Sequence, residues 1–224
     1  TLCFGEFGHD PFFDPIDGRT NIAAIQRNAD ETTPLFAENW HTDWSFQETP
    51  PIGTCLLGLT IPPQGGDTFF ANQQLAYEQM PAPLKAEADS AIAIHSAETA
   101  YAPDGMYGQG KHKEQGRSMR IRSSDEARLK TRHPMVRPHT ETSKPALYST
   151  VGYIQGFEGM DKTASDDLLL RIYHHQTQDQ FVYRHKWQPN MLVMWDNRAV
   201  LHKASGGYDG HDRLLHRTTI AERL

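Results

Sequence analysis

His41, Asp43 and His202 are the residues whose types and spacing fit a metal site. In extended chain, residues i and i+2 point to the same face, so His41 and Asp43 present an imidazole and a carboxylate together. His202 follows a predicted strand at 191–195 and can approach the same point from there. Two histidines and one carboxylate leave coordination positions open, as in non-haem Fe(II) oxygenases, whereas zinc sites usually use more nitrogen or sulfur ligands.

The histidines have a second interpretation at this point. The chain contains twelve of them, and others also lie near charged residues, as in His211-Asp212. Histidines that are hydrogen-bonded in polar surroundings would account for the same residues without any metal.

Arg213 and Arg217 lie four residues apart in a predicted strand and therefore share one face. Guanidinium groups pair well with carboxylate or sulfonate oxygens, and burying two of them without anions is costly. The spacing indicates a ligand with an anionic end. The alternative is that these arginines pair with acids such as Asp196 or Asp212 and hold the fold.

Composition indicates one soluble domain over residues 1–224, because 38% hydrophobic residues suffice for a core at 25.4 kDa. Mean hydropathy is −0.64, and no run approaches the roughly 20 apolar residues of a membrane span. No export signal is visible and Cys3 and Cys55 form no C-x-x-C pair, so we expect a reducing, cytoplasmic location. The chain begins with Thr1 rather than Met, so the sequence does not decide whether a further segment, such as a targeting segment, precedes it.

The net charge of −6 argues against a nucleic-acid or anionic-membrane surface. One segment, 111–137, has the opposite balance, with nine Lys or Arg against three acids. No aromatic residue is interleaved there to stack on bases. We interpret it as a solvated loop and helix, with gating of an anionic ligand as the alternative.

Short apolar runs between turn residues predict a mainly β fold with flanking helices. Residues 96–134 are polar and too long for an ordinary connection, so we expect a lid there. The predicted strands are 54–61, 91–95, 146–150, 191–195 and 213–220, and the predicted helices are 73–79, 83–89 and one from Thr163 to near Gln176.

Several motifs in order resemble the taurine/2,4-dichlorophenoxyacetate dioxygenase family, from about Phe4 to Glu222. The resemblance implies a double-stranded β-helix, or jelly roll, that binds Fe(II) and 2-oxoglutarate. The motifs are Asn39-Trp40-His41-Thr42-Asp43 followed by Phe46, Gly65-Gly66-Asp67-Thr68, His133-Pro134-Met135-Val136-Arg137, and Trp195-Asp196-Asn197-Arg198 with His202, Arg213, His216 and Arg217.

The resemblance also implies roles for individual residues. The positions of His41, Asp43 and His202 match iron ligands. Thr68 and Arg213 match the pair that grips the distal carboxylate of 2-oxoglutarate. Residues that match substrate contacts are Arg217, for the anionic group, and Phe46, Tyr101 and Tyr153, for the apolar part.

Two departures bear on the substrate. Asp10 stands where taurine dioxygenase has a histidine that contacts the substrate amine, and Phe13 stands at a tyrosine position. Asp10 would either bind a cationic amino group or cap a turn beside Pro11. Relatives also have some tens of residues ahead of the Phe4-Gly5-Glu6 segment.

The sequence therefore predicts a 2-oxoglutarate-dependent non-haem iron dioxygenase. It would use O₂ to hydroxylate an aliphatic C–H of a small anionic substrate, a sulfonate, sulfate ester or carboxylate, releasing succinate and CO₂. Asp43 favours hydroxylation because related halogenases lack the carboxylate. The alternatives are a jelly-roll hydrolase or isomerase that uses another metal without 2-oxoglutarate, and a non-catalytic jelly roll. Homo-oligomerisation stays open.

Overall fold

Twelve strands lie within the part of the chain that the computed structural model describes, residues 4–108 and 116–222. They are β1 Ala23–Arg27, β2 Gly53–Thr60, β3 Thr68–Asn72, β4 Ile92–His95, β5 Thr131–Pro134, β6 Val136–Pro138, β7 Pro145–Leu147, β8 Ile154–Phe157, β9 Val182–His185, β10 Leu192–Asp196, β11 Val200–Ala204 and β12 Arg213–Ile220.

All strand pairs are antiparallel. The largest sheet has the order β1-β12-β2-β10, and a second sheet has the order β11-β3-β9. A third sheet is β5-β4-β8, and β6 pairs with β7. Neighbours in the first two sheets are distant in sequence, so the pairing depends on contacts between the two halves of the chain.

The first two sheets share a core. Leu56 of β2, Trp195 of β10 and Leu215 of β12 pack with Phe70 of β3 in one cluster. Along β12 every second residue from Arg213 to Thr219 is buried, as expected for a strand with one face inward. The inward face therefore includes both arginines singled out in the sequence.

Helices lie beside the sheets, and the described ranges contain four α-helices. The longest begins after Asp161, whose side chain accepts a hydrogen bond from the Ala164 N–H at 2.9 Å and caps the helix. The sequence prediction placed this start at Thr163, one residue after the observed first helical residue, Lys162. The helices are α1 Gln73–Glu78, α2 Ala82–Ser90, α3 Glu98–Tyr101 and α4 Lys162–Gln176, with 3-10 turns at Asp125–Arg128 and Asp179–Phe181.

The other predicted elements agree with the structure to within about two residues, except that the strand predicted at 146–150 is the shorter β7. The segment 96–134 contains α3 and a 3-10 turn and ends in β5, which pairs with β4. Its last four residues therefore belong to a sheet. Residues 109–115 lie outside the described part of the chain, and a lid stays a prediction. No helix among the described residues is long and apolar enough to cross a membrane.

Candidate metal centre and its cavity

His41, Asp43 and His202 converge on one point. The backbones of His41 and His202 form an isolated antiparallel bridge, and Asp43 follows two residues later. His41 Nε2 lies 3.8 Å from Asp43 Oδ1, and His202 Nε2 lies 3.6 Å from Asp43 Oδ2. The sequence prediction that these three side chains meet is therefore confirmed.

The route by which Asp43 reaches this point differs from the extended chain that was expected. The chain enters a turn at Asp43, and Trp44 adopts a left-handed backbone conformation with φ of 49°. The indole of Trp44 is almost completely buried. The strain of this uncommon conformation is offset by packing of the ring.

Both imidazoles are held in the neutral form. Burial, together with His41 and Arg217, lowers the pKa of His202 to about 3. Desolvation lowers the pKa of His41 as well, although Asp43 acts in the opposite direction. His41 Nδ1 lies 2.9 Å from the Asn39 carbonyl, so it carries the proton, and the Nε2 lone pair faces Asp43.

Asp43 is held as a carboxylate. Burial alone would raise its pKa, but Arg217, His202, His41 and the Thr54 hydroxyl outweigh burial and hold the pKa of Asp43 well below its usual range. The Thr54 hydroxyl donates to Asp43 Oδ2 at 2.6 Å. This contact fixes the orientation of the carboxylate.

These three groups fit a divalent metal ion. Two neutral imidazole nitrogens and a carboxylate face one another at 3.6–3.8 Å, which is too long for hydrogen bonds. A metal ion about 2.0–2.2 Å from each ligand atom would bridge such gaps. Two histidines and one carboxylate are also the donor set that leaves coordination positions open.

A buried chain of hydrogen bonds that the sequence did not predict leads to Asp43 through Thr54. Asn197 Nδ2 donates to Thr54 Oγ1 at 3.0 Å, and Trp195 Nε1 donates to Asn197 Oδ1 at 2.9 Å. The Trp195-Asp196-Asn197-Arg198 motif was a signal for Asn197 and Trp195. Thr54 carried no signal, because its role depends on the pairing of β2 with β10.

Arg213 and Thr68 line the same cavity as the three converging groups. The Arg213 side chain is buried, and its Nη2 donates to the Gly66 carbonyl at 3.1 Å. Its Nε has no hydrogen-bond partner, and no ion pair involves Arg213 among the described residues. Gly66 has φ of 67°, and a Cβ there would lie 3.0 Å from the Arg213 Nε. The glycine thus allows the close approach of a buried cation that forms no ion pair with the described residues.

Thr68 is the first residue of β3, and its hydroxyl accepts a hydrogen bond from Trp187 Nε1 at 3.0 Å. The hydroxyl proton is therefore available to a second acceptor. Burial lowers the pKa of Arg213, and Tyr208 and the Asp67 carboxylate, which is paired with Arg184, partly counteract this. An anionic group between Thr68 and Arg213 would satisfy both side chains.

Arg217 also lines the cavity, but it already has two anionic partners. Its Nη1 lies 2.7 Å from Asp10 Oδ1, and its Nη2 lies 3.0 Å from Asp43 Oδ1. The rings of Phe13 and Trp44 lie 5.1 and 4.9 Å from the guanidinium carbon. Burial would lower the pKa of Arg217, but Asp10 and Asp43 raise it. Neither Asp196 nor Asp212, the acids considered from the sequence, pairs with either arginine.

The aromatic residues divide into two groups. Tyr101 and Tyr153 line the cavity. Phe46 is buried and does not line the cavity; its ring lies 5.1 Å from that of Tyr153. Phe46 therefore supports the wall that Tyr153 presents.

Comparison with known proteins places the chain in a family. Residues 1–219 match the model of the family described as "Taurine catabolism dioxygenase TauD, TfdA family". An alpha-ketoglutarate-dependent 2,4-dichlorophenoxyacetate dioxygenase of Cupriavidus pinatubonensis is 34% identical over 84% of this chain and 60% of its own length. An alkylsulfatase of Acinetobacter baylyi is 33% identical over 83% of this chain and 57% of its own length. The crystal structure of a taurine dioxygenase from Burkholderia xenovorans superposes with a TM-score of 0.75 at 32% identity, covering 100% of this chain and 70% of that one.

The chain therefore belongs to the TauD/TfdA family, and its fold is the jelly roll of that family, as predicted from the sequence. The chain spans between about two fifths and three fifths of the length of the curated relatives it matches.

Proposed function

We propose that the protein is an Fe(II)- and 2-oxoglutarate-dependent dioxygenase that hydroxylates an aliphatic C–H of a small anionic substrate. One observation carries this proposal. A cluster of two neutral histidines and a carboxylate faces the same cavity as the buried Arg213, which forms no ion pair within the described part of the chain. The first suits iron, and the second suits the distal carboxylate of a dicarboxylic co-substrate.

In this proposal His41, Asp43 and His202 hold the iron, while Arg213 and Thr68 hold the distal carboxylate of 2-oxoglutarate. When bound, the metal and 2-oxoglutarate supply the oxidising chemistry. One atom of O₂ enters the substrate as a hydroxyl, and the other enters the succinate that forms as CO₂ is lost. The protein positions these groups and excludes water from a cavity walled by aromatic rings.

The substrate class follows from Arg217 and from the relatives. Arg217 lines the cavity together with Tyr101 and Tyr153, and Phe46 packs against Tyr153. This combination suits an anionic group next to an apolar part. The names of relatives include an alkylsulfatase, a 2,4-dichlorophenoxyacetate dioxygenase and a sulfate ester dioxygenase. A sulfonate, sulfate ester or carboxylate is therefore proposed. The hydrolase or isomerase alternative has no support from the comparisons and gives Arg213 and Thr68 no ligand.

The first test is anaerobic addition of Fe(II) and then 2-oxoglutarate. The proposal requires a weak visible absorption band from the chelate of the keto acid on the metal. A panel of sulfonates, sulfate esters and aryloxy or aliphatic carboxylates is then compared by succinate release under air. If the band is missing and no compound stimulates succinate formation, the proposed function is wrong.

A further inference from the structure

Asp10 contacts the cavity arginine from outside the cavity. Its Oδ1 lies 2.7 Å from Arg217 Nη1 and also accepts the hydrogen bond of Trp44 Nε1. The Asp10 side chain is only 12% exposed, and it is not part of the cavity wall. Within the described ranges, no backbone N–H donates a hydrogen bond to the Asp10 carboxylate. The structure therefore contains no hydrogen bond of the kind that the predicted turn cap requires.

Arg217 is consequently shared between two carboxylates. Asp10 takes Nη1, and Asp43 lies beside Nη2. Arg217 carries one positive charge, and these two neighbours carry two negative charges. Because all three side chains are largely buried, solvent screens their interactions only weakly. The potential that Arg217 presents to an incoming anion is therefore reduced.

We propose that Asp10 is a specificity-determining residue that competes with the anionic group of the substrate for Arg217. This inference rests on the proposed function and refines its substrate class. The carboxylate of Asp10 weakens the attraction between Arg217 and an anionic ligand. The difference in affinity between an anionic substrate and its neutral analogue is therefore smaller than it would be if Arg217 had no acidic neighbour.

The consequence is that neutralising Asp10 strengthens anion binding. Asp10→Asn keeps an oxygen that can accept the hydrogen bond from Trp44 and contact Arg217, but it removes one negative charge. Removing a charge at this distance in a poorly screened site changes the affinity for an anion by about tenfold. Neutral ligands of the same shape have no such dependence.

The probes are hexane-1-sulfonate and its neutral counterpart N-methylhexane-1-sulfonamide. Their dissociation constants are measured by calorimetry on the iron- and 2-oxoglutarate-loaded protein under argon. We expect Asp10→Asn to bind the sulfonate about tenfold more tightly than the wild type. We expect the sulfonamide to change by less than about twofold, since it carries no charge.

Asp14→Asn is the matched control. Asp14 lies on the same segment and loses the same charge, but it pairs with Arg122 at 3.1 Å, and both side chains are well exposed. Asp10→Glu is a second control, which keeps the charge and changes only the length. We expect both controls to retain the wild-type preference between sulfonate and sulfonamide.

The competition is refuted if Asp10→Asn binds the sulfonate no better than the wild type, or not at all, or if Asp14→Asn tightens binding equally. The same calorimetric titrations on the protein without added iron or 2-oxoglutarate separate this inference from the proposed function. Absence of the absorption band from the iron–2-oxoglutarate chelate would contradict the proposed dioxygenase function. The ratio of the sulfonate affinities of Asp10→Asn and the wild type would still test the role of Asp10.

Discussion

His41 and His202 exchange both of their backbone hydrogen bonds, with N···O distances of 3.0 and 2.9 Å. The bridge joins the chain just ahead of β2 to β11 and brings the two imidazole centroids to 4.2 Å. The spacing of two proposed metal ligands is therefore set by main-chain hydrogen bonds. A change of either side chain leaves these bonds available and removes only a ligand atom.

Alanine at His41, Asp43 or His202 should abolish iron binding, because a site with three protein ligands holds the metal poorly with two. Iron content after anaerobic loading and desalting measures this, with circular dichroism to show that the fold persists. His174→Ala, an exposed histidine on α4, is the control and should bind iron as the wild type does. A stoichiometric iron content in any one of the three variants would remove that residue from the proposed ligand set.

Much of this site could be predicted from local patterns. The strand Arg213–Ile220 was predicted with its observed bounds from a short apolar run that follows the loop with Gly206 and Gly207. The four-residue spacing of Arg213 and Arg217 within that strand placed both on one face. The convergence of His41 with Asp43 followed from their types and spacing, although a turn and not an extended strand brings it about.

The rest depends on tertiary contacts that local sequence does not encode. The strand Ala23–Arg27 was missed, since only Ala23 in it is fully buried and the strand is held by its pairing with β12. The Asp10–Arg217 ion pair links residues from opposite ends of the sequence. The role of Thr54 depends on its hydrogen bond with Asn197, which follows β10 and is distant in sequence. No single-sequence pattern identifies such partners.

Arg213→Ala should weaken 2-oxoglutarate binding by about 30-fold or more, since truncating one partner of a buried charge pair costs about 2–5 kcal/mol. Thr68→Ala should have a smaller effect, because a hydroxyl contributes one uncharged hydrogen bond. Anaerobic titration of the chelate band gives the dissociation constants. Arg184→Ala is a nearby control, because Arg184 is half-exposed and pairs with Asp67. If Arg213→Ala instead weakens only the primary substrate, the proposed roles of Arg213 and Arg217 are exchanged.

Arg217→Gln should lower kcat/KM for acidic substrates by at least about tenfold more than for their neutral amide or ester analogues. The reason is that an anion would then meet Asp10 and Asp43 without the cation between them. The iron content of the variant is measured alongside, to separate lost substrate contacts from a disturbed Asp43. Equal rates for acids and neutral analogues, with kcat/KM unchanged in Arg217→Gln, would make Arg217 a purely structural arginine.

Glu31→Gln should loosen the segment that begins at Gly116. The buried Glu31 carboxylate accepts hydrogen bonds from both the N–H and the hydroxyl of Ser118, from the Thr33 hydroxyl and from Arg27. Burial would raise the pKa of Glu31, but these donors hold it below its usual value.

With a neutral amide in place of Glu31, we expect a loss of about 2–4 kcal/mol in the free energy of unfolding, since a network with charged partners is broken. We also expect faster proteolysis near Ser118. Urea denaturation and limited trypsin digestion measure the two effects. Asp30→Asn changes the charge of an exposed neighbour and should leave both unchanged. Wild-type resistance in Glu31→Gln would show that Glu31 does not hold this segment.

The interior of the third sheet contains a histidine that cannot be protonated easily. His95 on β4 is fully buried, and its Nδ1 lies 3.0 Å from the Ser45 hydroxyl. His133 and Tyr148 pack against its ring, and Arg137 lies over Tyr148. Burial first, and then the electrostatic influence of His133 and Arg137, lower the pKa of His95 to about 3.

His95 should therefore make the protein less stable as the pH falls. In the unfolded chain the pKa of His95 is about 6.5, so the unfolded state binds a proton below that pH. In the folded state His95 becomes protonated only near pH 3. The free energy of unfolding is unaffected above pH 6.5 and decreases between pH 6.5 and 3, by about 2 kcal/mol at pH 5.

His95→Gln lacks this titration, so the difference in its free energy of unfolding between pH 7 and pH 5 should be smaller by about that amount. Urea denaturation at the two pH values measures it, with the exposed His174→Gln as a control that should retain the wild-type difference. An unchanged pH dependence in His95→Gln would mean that His95 takes up a proton in the folded protein.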